Sequence, residues 1–280
     1  MWTGSSTATV TISNFIILAV LARLLSPSDF GLMGMVMVVI GFATVISDLG
    51  LGAAVIQRQK LTQKQISTFF FLNIIVGIIL CGIVYFASGL IAIFFKKSEL
   101  ISLLKVISFS FIIISLGQTF RTLLEKWMDF KKLAKVEVSG IFVYGISSIT
   151  LALKGFEVWS LVYGFLIRHL WETTLLWIVT SFKPHLSFNL KKIKNLVKFG
   201  IYVFGERIIN YFNRNLDYII IGSFLGAEAL GYYTLAYRLM LFPLSKISHV
   251  IIKVMFPAFS IIPGLPKAME HGDVSTQTVL

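Results

Sequence analysis

The stretch Gln65–Phe95, QISTFFFLNIIVGIILCGIVYFASGLIAIFF, holds 31 residues without one charged side chain. A helix needs roughly 20 apolar residues to cross the hydrocarbon core of a bilayer, so this segment alone is long enough to span one. A helix buried in a water-soluble core is a poor rival at that length. The rest of the chain agrees: of 280 residues, 56% are hydrophobic and 14% charged, and the mean hydropathy is +0.86. So much apolar surface cannot be hidden inside one soluble core. The expected fold class is all-α, a polytopic membrane helical bundle.

Outward from that segment, charges and turn residues divide the chain into about eight transmembrane helices. They are placed at about 4–25, 30–56, 66–95, 100–122, 137–153, 157–181, 199–225 and 230–260. The fifth is the weakest, because only 16 residues, Val138–Leu153, are free of charge. Met1–Ala22 has no basic region before it and no small-residue cleavage site followed by polar sequence, so it reads as a retained helix. The single cysteine, Cys81, sits mid-span among Ile and Leu. It excludes a disulfide and a thiolate metal site, and packing is its expected role.

The net charge is +12, but the basic residues cluster in short loops between apolar spans, which argues for membrane topology and against nucleic acid. One set of alternate loops carries Arg58, Lys60 and Lys64, then Arg121, Lys126, Lys131, Lys132 and Lys135, then Lys183, Lys191, Lys192, Lys194 and Lys198. The opposite set carries only Lys96, Lys97 and Lys154. Thirteen against three places the first set, and the N-terminus, in the cytoplasm. Within 183–198, Leu190, Ile193, Leu196 and Val197 share a face opposite the lysines, the pattern of a basic amphipathic helix on the inner leaflet.

The chain also repeats itself at an offset of 200. LARLLSPSDFGLM, Leu21–Met33, aligns without a gap on IGSFLGAEALGYY, Ile221–Tyr233, so that Leu25 matches Leu225 and Gly31 matches Gly231. Each copy forms a tight external turn between two long spans, and six helices separate the copies. An even number gives both the same orientation, the trace of two parallel six-helix lobes related by an axis along the membrane normal. The expected domains are therefore an N-terminal six-helix lobe, 1–182, a basic linker, 183–198, the first two helices of a second lobe, 199–262, and a polar tail, 263–280.

The motifs that carry a family resemblance are LARLLSPSDFGLMGM, SDLGLGAAVIQR at Ser47–Arg58 and GQTFRTLLEKWMDFKKLAKVE at Gly117–Glu137. To these are added INYFNRNLDY with LGAEALGYYTLAYRL, and VMFPAFS at Val254–Ser260. Over nearly all of 2–260 the chain resembles the oligosaccharide flippase family of bacterial polysaccharide biosynthesis proteins, within the multidrug/oligosaccharidyl-lipid/polysaccharide exporter superfamily. It is most similar there to lipopolysaccharide biosynthesis proteins of the colanic-acid-exporter type. The resemblance implies a carrier that flips undecaprenyl-pyrophosphate-linked oligosaccharide repeat units across the bacterial inner membrane. It implies no catalytic motif, cofactor or metal, and its candidate partners are the lipid-linked sugar, membrane lipids, a polysaccharide polymerase and a chain-length regulator. The chain departs from the family in lacking a short basic stretch before its WTG start and four to six further helices after FPAFS. Since helices seven and eight pair with one and two and nothing pairs with three to six, a truncated or frameshifted copy is expected.

Several charges lie inside apolar spans, where ionisable groups are costly and usually face a bundle interior or a wet cavity. Arg207, Asn210, Arg214 and Asp217, at steps of three, four and three, share one face of the seventh helix. They are the leading candidates for lining a substrate cavity, because an arginine fork stays charged in the membrane and can hold phosphate oxygens in pairs. Arg238 in the eighth helix is a second-tier candidate, and ion pairs that merely join helices remain the competing reading. In the sixth helix Glu172 lies one turn beyond Arg168 and should neutralise it, making a self-paired structural or gating unit. Asp48, in SDLGLG, is a further structural or gating candidate.

Two rival functions stand beside transport of an oligosaccharide. A drug or cation antiporter of the same superfamily would share the lobes but favour acidic residues in its cleft, whereas helices six to eight carry Arg168, Arg207, Arg214 and Arg238 against Glu172, Glu206 and Asp217. A membrane enzyme of polysaccharide assembly would need a sizeable external loop and a nucleophile or metal cluster, and neither is legible here.

Overall fold

The computed structural model describes residues 2–48, Gly52, 55–56, 62–182, 184–185 and 194–240, and among them there are helices and turns but no strand. The helices are α1 (Trp2–Leu24), α2 (Pro27–Asp48), α3 (Gln63–Phe95), α4 (Leu100–Lys126), α5 (Phe130–Leu153), α6 (Val158–Val179) and α7 (Lys194–Ile220). A single π turn, Ile221–Leu225, follows α7, and residues 226–240 form α8. The chain is an all-α membrane-type bundle.

Local sequence explains the boundaries. At the start of α2, Ser26-Pro27-Ser28-Asp29 forms a reciprocal box. The Asp29 carboxylate accepts from the Ser26 amide at 2.9 Å, the Ser26 hydroxyl accepts from the Asp29 amide at 3.3 Å, and Pro27 occupies the first helical position. Thr62 and Gln65 build the same device at the start of α3. That helix ends with Lys96 in the left-handed region at φ 55°, its amide and that of Lys97 returning to the Ile93 and Ala92 carbonyls.

The fifth helix departs from expectation. It starts at Phe130, seven residues before the expected start at 137, because Asp129 caps it by accepting from the Lys132 amide at 3.3 Å. Its first turns hold Lys131, Lys132 and Lys135 exposed at the bundle end, so these charges prolong the helix out of the apolar zone. The Lys132 ammonium, 2.9 Å away, holds the Asp129 carboxyl below the usual aspartate range. The expected amphipathic helix at 183–198 falls largely on 186–193, outside the described residues, and residues 194–198 belong to α7, which begins five residues earlier than expected.

Among the described residues, five stretches are long and apolar enough to cross a membrane: Pro27–Ile46, Gln63–Phe95, Leu100–Lys126, Phe130–Leu153 and Gly205–Met240. The last contains two arms. At Gly226 the backbone takes φ +84° and ψ −175°, and beyond it Leu230 folds back onto Gly222 while Tyr233 packs on Tyr218 at 5.4 Å between ring centroids. Residues 8 and 15 apart touch in this way only across a hairpin. Helix α6 has a span's length but carries Arg168, His169 and Glu172, and in α1 the apolar part is Thr9–Leu24.

Residues Met1–Thr234 form one compact unit and Leu235–Leu280 a second. In the first, α3 packs on α4 and α5 on α6 as antiparallel neighbours, α1 lies along α5, α4 along α6, and α2 along α7. The contacts are those of helices that meet without a hydrophobic driving force, through small residues and interhelical hydrogen bonds. Asn73 on α3 donates to Thr119 on α4 at 3.1 Å, and Thr173 on α6 to the Ile113 carbonyl at 2.9 Å. At the end bearing the basic loops, Phe70, Phe120, Leu124, Val136 and Leu176 make a buried cluster from four helices. By contrast, Phe86 on α3 is 85% exposed and Ile93 74%, an outward apolar face suited to lipid tails.

The opposite end collects the turns α1–α2, α3–α4 and α5–α6 around an open cavity of about 560 Å³ whose charged lining residues are Asp29, Glu99 and Glu157. The charge asymmetry of the sequence is thus a property of the two ends of the bundle.

Candidate functional site

The candidate site is the line along which α2 meets the α7–α8 hairpin. On α7, Tyr211 is the residue turned into α2. It is buried, its hydroxyl donates to the Val38 carbonyl, and its ring lies 5.7 Å from that of Phe42. Phe212 packs on the same Phe42 ring at 5.6 Å. At 100° per residue, Arg207, Asn210, Arg214 and Asp217 fall between about 40° and 120° to one side of Tyr211. The polar stripe therefore runs beside the α2 contact. Arg207 and Asp217 are half-buried, and Asn210 and Arg214 exposed.

Across the hairpin, Asp217 accepts from the Tyr233 hydroxyl and, at 2.9 Å, from the Tyr218 amide. An acidic group that could have been held by arginine alone is thereby tied to the second arm. Arg238 lies on α8 in the second unit and is exposed.

At the end with the acidic turns the two copies of the repeat lie against one another. A Cβ on Gly31 would sit 1.6 Å from the Ala227 carbonyl oxygen, and a Cβ on Gly231 would sit 1.7 Å from the Pro27 carbonyl oxygen. The backbones meet so closely that only glycine fits at either position. A Cβ on Gly34 would meet Thr234 Oγ1 at 3.3 Å. In the offset of 200, Pro27 corresponds to Ala227, Gly31 to Gly231 and Gly34 to Thr234, so each contact is the mirror of another or joins a residue to its own counterpart. This reciprocity is what a two-fold axis produces.

The α6 charges form a separate centre. Arg168 Nε donates to Glu172 Oε1 at 2.7 Å, His169 Nδ1 lies 3.5 Å from Oε2, and Glu172 is 7% exposed. Gly140 on α5 makes room for it, since a Cβ there would be 2.4 Å from Oε1. The side chain of Asp48, the last residue of α2, lies outside the described residues. Sequence reasoning passed over Tyr211 and Tyr233, whose only signal was a hydroxyl next to, or one hairpin away from, the polar stripe.

The family of proteins described as polysaccharide biosynthesis proteins matches residues 20–272 of this chain, a range that takes in both copies of the repeat. The chain belongs to that family. Among its relatives in the family, the teichuronic acid biosynthesis protein TuaB of Bacillus subtilis is 34% identical over 262 residues, which cover 92% of this chain and 54% of the relative. The lipopolysaccharide biosynthesis protein WzxC of Escherichia coli is 30% identical over 265 residues, covering 92% and 53%. The succinoglycan biosynthesis transport protein ExoT of Rhizobium meliloti is 27% identical over 246 residues, covering 88% and 50%. The chain spans about half the length of these curated relatives. No solved structure matches it.

Proposed function

We propose that the chain serves polysaccharide biosynthesis as a multi-pass transporter and not as an enzyme. Its substrate is an undecaprenyl-pyrophosphate-linked oligosaccharide, carried from the cytoplasmic to the outer leaflet of the bacterial inner membrane. The N-terminus and the basic loops face the cytoplasm. Two lobes, the first spanning 1–182 and the second beginning at 199, alternate in giving access to a path between them. A relative named as a transport protein and the membership in a polysaccharide biosynthesis family support transport.

The observation that carries the substrate class is the stripe Arg207–Asn210–Arg214 on α7, which runs beside the α2 contact within a stretch apolar enough to span a membrane. Two permanent cations in such a place attract an anion, and the planar guanidinium suits the paired oxygens of a pyrophosphate. Asp217 closes the outer limit of the stripe and, by bonding Tyr233, ties the arms of the hairpin that presents it.

The test replaces the matched part of TuaB by this chain and introduces the chimera into a strain lacking its own flippase. Polymer export should be restored by the chimera. Arg207→Ala with Arg214→Ala should abolish it at unchanged membrane levels, and the two lysine replacements should recover part of it, since an ammonium is a point charge and not a fork. Full export with both arginines removed would overturn the assignment of substrate contact.

A further inference from the structure

The reciprocal crossing of the two repeat copies has a mechanical meaning. Along α2 the contact positions are Pro27, Gly31 and Gly34, spaced by four and three residues, and along α8 they are Ala227, Gly231 and Thr234 with the same spacing. Equivalent residues of two parallel elements touch one another only at their mutual axis. That axis runs between the copies, the place a path between two repeats would occupy. Here the place is shut by backbone against backbone, at the end of the bundle that carries Asp29, Glu99 and Glu157.

Two further observations bear on whether this closure is permanent. Like the buried hydroxyls of Ser110, Ser148 and Thr180, the Thr234 hydroxyl, on a residue 2% exposed at the axis, has no hydrogen-bond partner among the described residues. Parting of the helices would hydrate it. Leu230 fills the space over Gly34 and Gly222, and no ion pair joins the two copies among the described residues. Small residues allow close approach without interlocking side chains that would have to be torn apart.

We propose that Pro27–Gly31–Gly34 and Ala227–Gly231–Thr234 form the seal that closes the path at the acidic end, and that the substrate passes only when this crossing opens. The inference rests on the transport reading above, and adds to it the residues of one gate and the symmetry by which they close. Tyr211, bonded to Val38, continues the contact further along α2.

Cysteines test it on the whole chain, in a Cys81→Ser background with a protease site placed within 186–193. Gly34→Cys combined with Thr234→Cys should form a disulfide on oxidation, because Gly34 Cβ and the Thr234 side-chain terminus lie 3.3 Å apart. After proteolysis the two fragments should run as one band that a reductant splits. Failure to cross-link would show that the copies do not meet. In opened membranes, Thr234→Cys alone should react with a soluble maleimide at least about tenfold more slowly than the exposed Glu228→Cys, since labelling must wait for local opening. Adding Gly31→Leu, which wedges the backbones, should remove most of that protection. Equal protection with and without the wedge would overturn the seal.

The third arm measures polymer export by the chain, alone and in the TuaB chimera. Oxidation of the cysteine pair should stop export and a reductant should restore it, whereas undiminished export by a cross-linked protein would sink the gate. If neither protein exports even when reduced, the transport reading fails, and the labelling arm still decides whether the crossing opens.

Discussion

The two copies of the repeat share a pattern but not an environment. Both glycines of the crossing are buried, as are Phe30, 4% exposed, and its counterpart Leu230. On their other faces they part. Leu25 is 8% exposed and its counterpart Leu225 69%, while Leu32 is 5% exposed and Tyr232 57%. Leu25 and Leu32 adjoin the cavity walled by Leu103 of α4 and Val158 of α6. Among the described residues no helix covers the second copy in the same way. A repeat thus fixes the contact that the copies make with one another, and the rest of each copy's burial depends on what surrounds it.

The strongest way to break that comparison is to disturb the shared face. Gly31→Leu and Gly231→Leu should each cost about 3 kcal/mol or more, because the added atoms meet backbone that cannot rotate away. By pseudo-symmetry the two losses should match. Gly89→Leu, at a position with nothing within 4 Å of a Cβ, should be tolerated. Thermal unfolding in detergent reads all three, and a stable Gly231→Leu beside an unstable Gly31→Leu would deny the reciprocity.

Next comes the face that differs. Leu25→Ala should destabilise by about 2–4 kcal/mol, as a buried leucine does when its removal leaves a cavity. Leu225→Ala should change stability by less than about 0.5 kcal/mol, as exposed substitutions do. Equal losses in the same melting assay would mean that the second copy is as enclosed as the first. A smaller effect is expected further along α2, beyond the copies, at Tyr211→Phe. Loss of one hydroxyl from a buried contact should cost about 1 kcal/mol while the ring stays against Phe42.

Much of this was legible in the sequence, for reasons that particular residues make plain. Gln65–Phe95 announced a spanning helix because period and partners are irrelevant to a run that apolar throughout. The Arg168–Glu172 pair was legible because four residues on one helix fix their own neighbours. The start of α5 was not, since counting charge-free residues ignores that a helix may emerge from the bilayer through its lysines behind an aspartate cap. Nor was the Gly31–Gly231 contact, although the repeat itself could be read: similarity between two segments says that they resemble each other and nothing about whether they touch. Tyr211 was missed because a tyrosine among arginines draws no notice until α2 lies against it.

The smallest prediction concerns how the two turns are built. The first copy enters α2 through the Ser26–Asp29 box, in which the carboxylate takes the Ser26 amide and hydroxyl at 2.9 and 2.6 Å. At the equivalent positions the second copy has Gly226 and Ala229, and it turns by a π turn and a glycine at φ +84°, a conformation that residues with a side chain rarely adopt. Removing the box with Asp29→Ala should cost about 1 kcal/mol, the usual value of a lost cap. The reverse change, Ala229→Asp, should gain nothing, because Gly226 offers no hydroxyl to return the bond. Completing the transplant with Gly226→Ser should make matters worse, since the serine must take a positive φ before it can cap anything. A double variant, Gly226→Ser with Ala229→Asp, that melts above the parent protein would show that the second turn can adopt the geometry of the first, and that the difference between the copies lies in their surroundings alone.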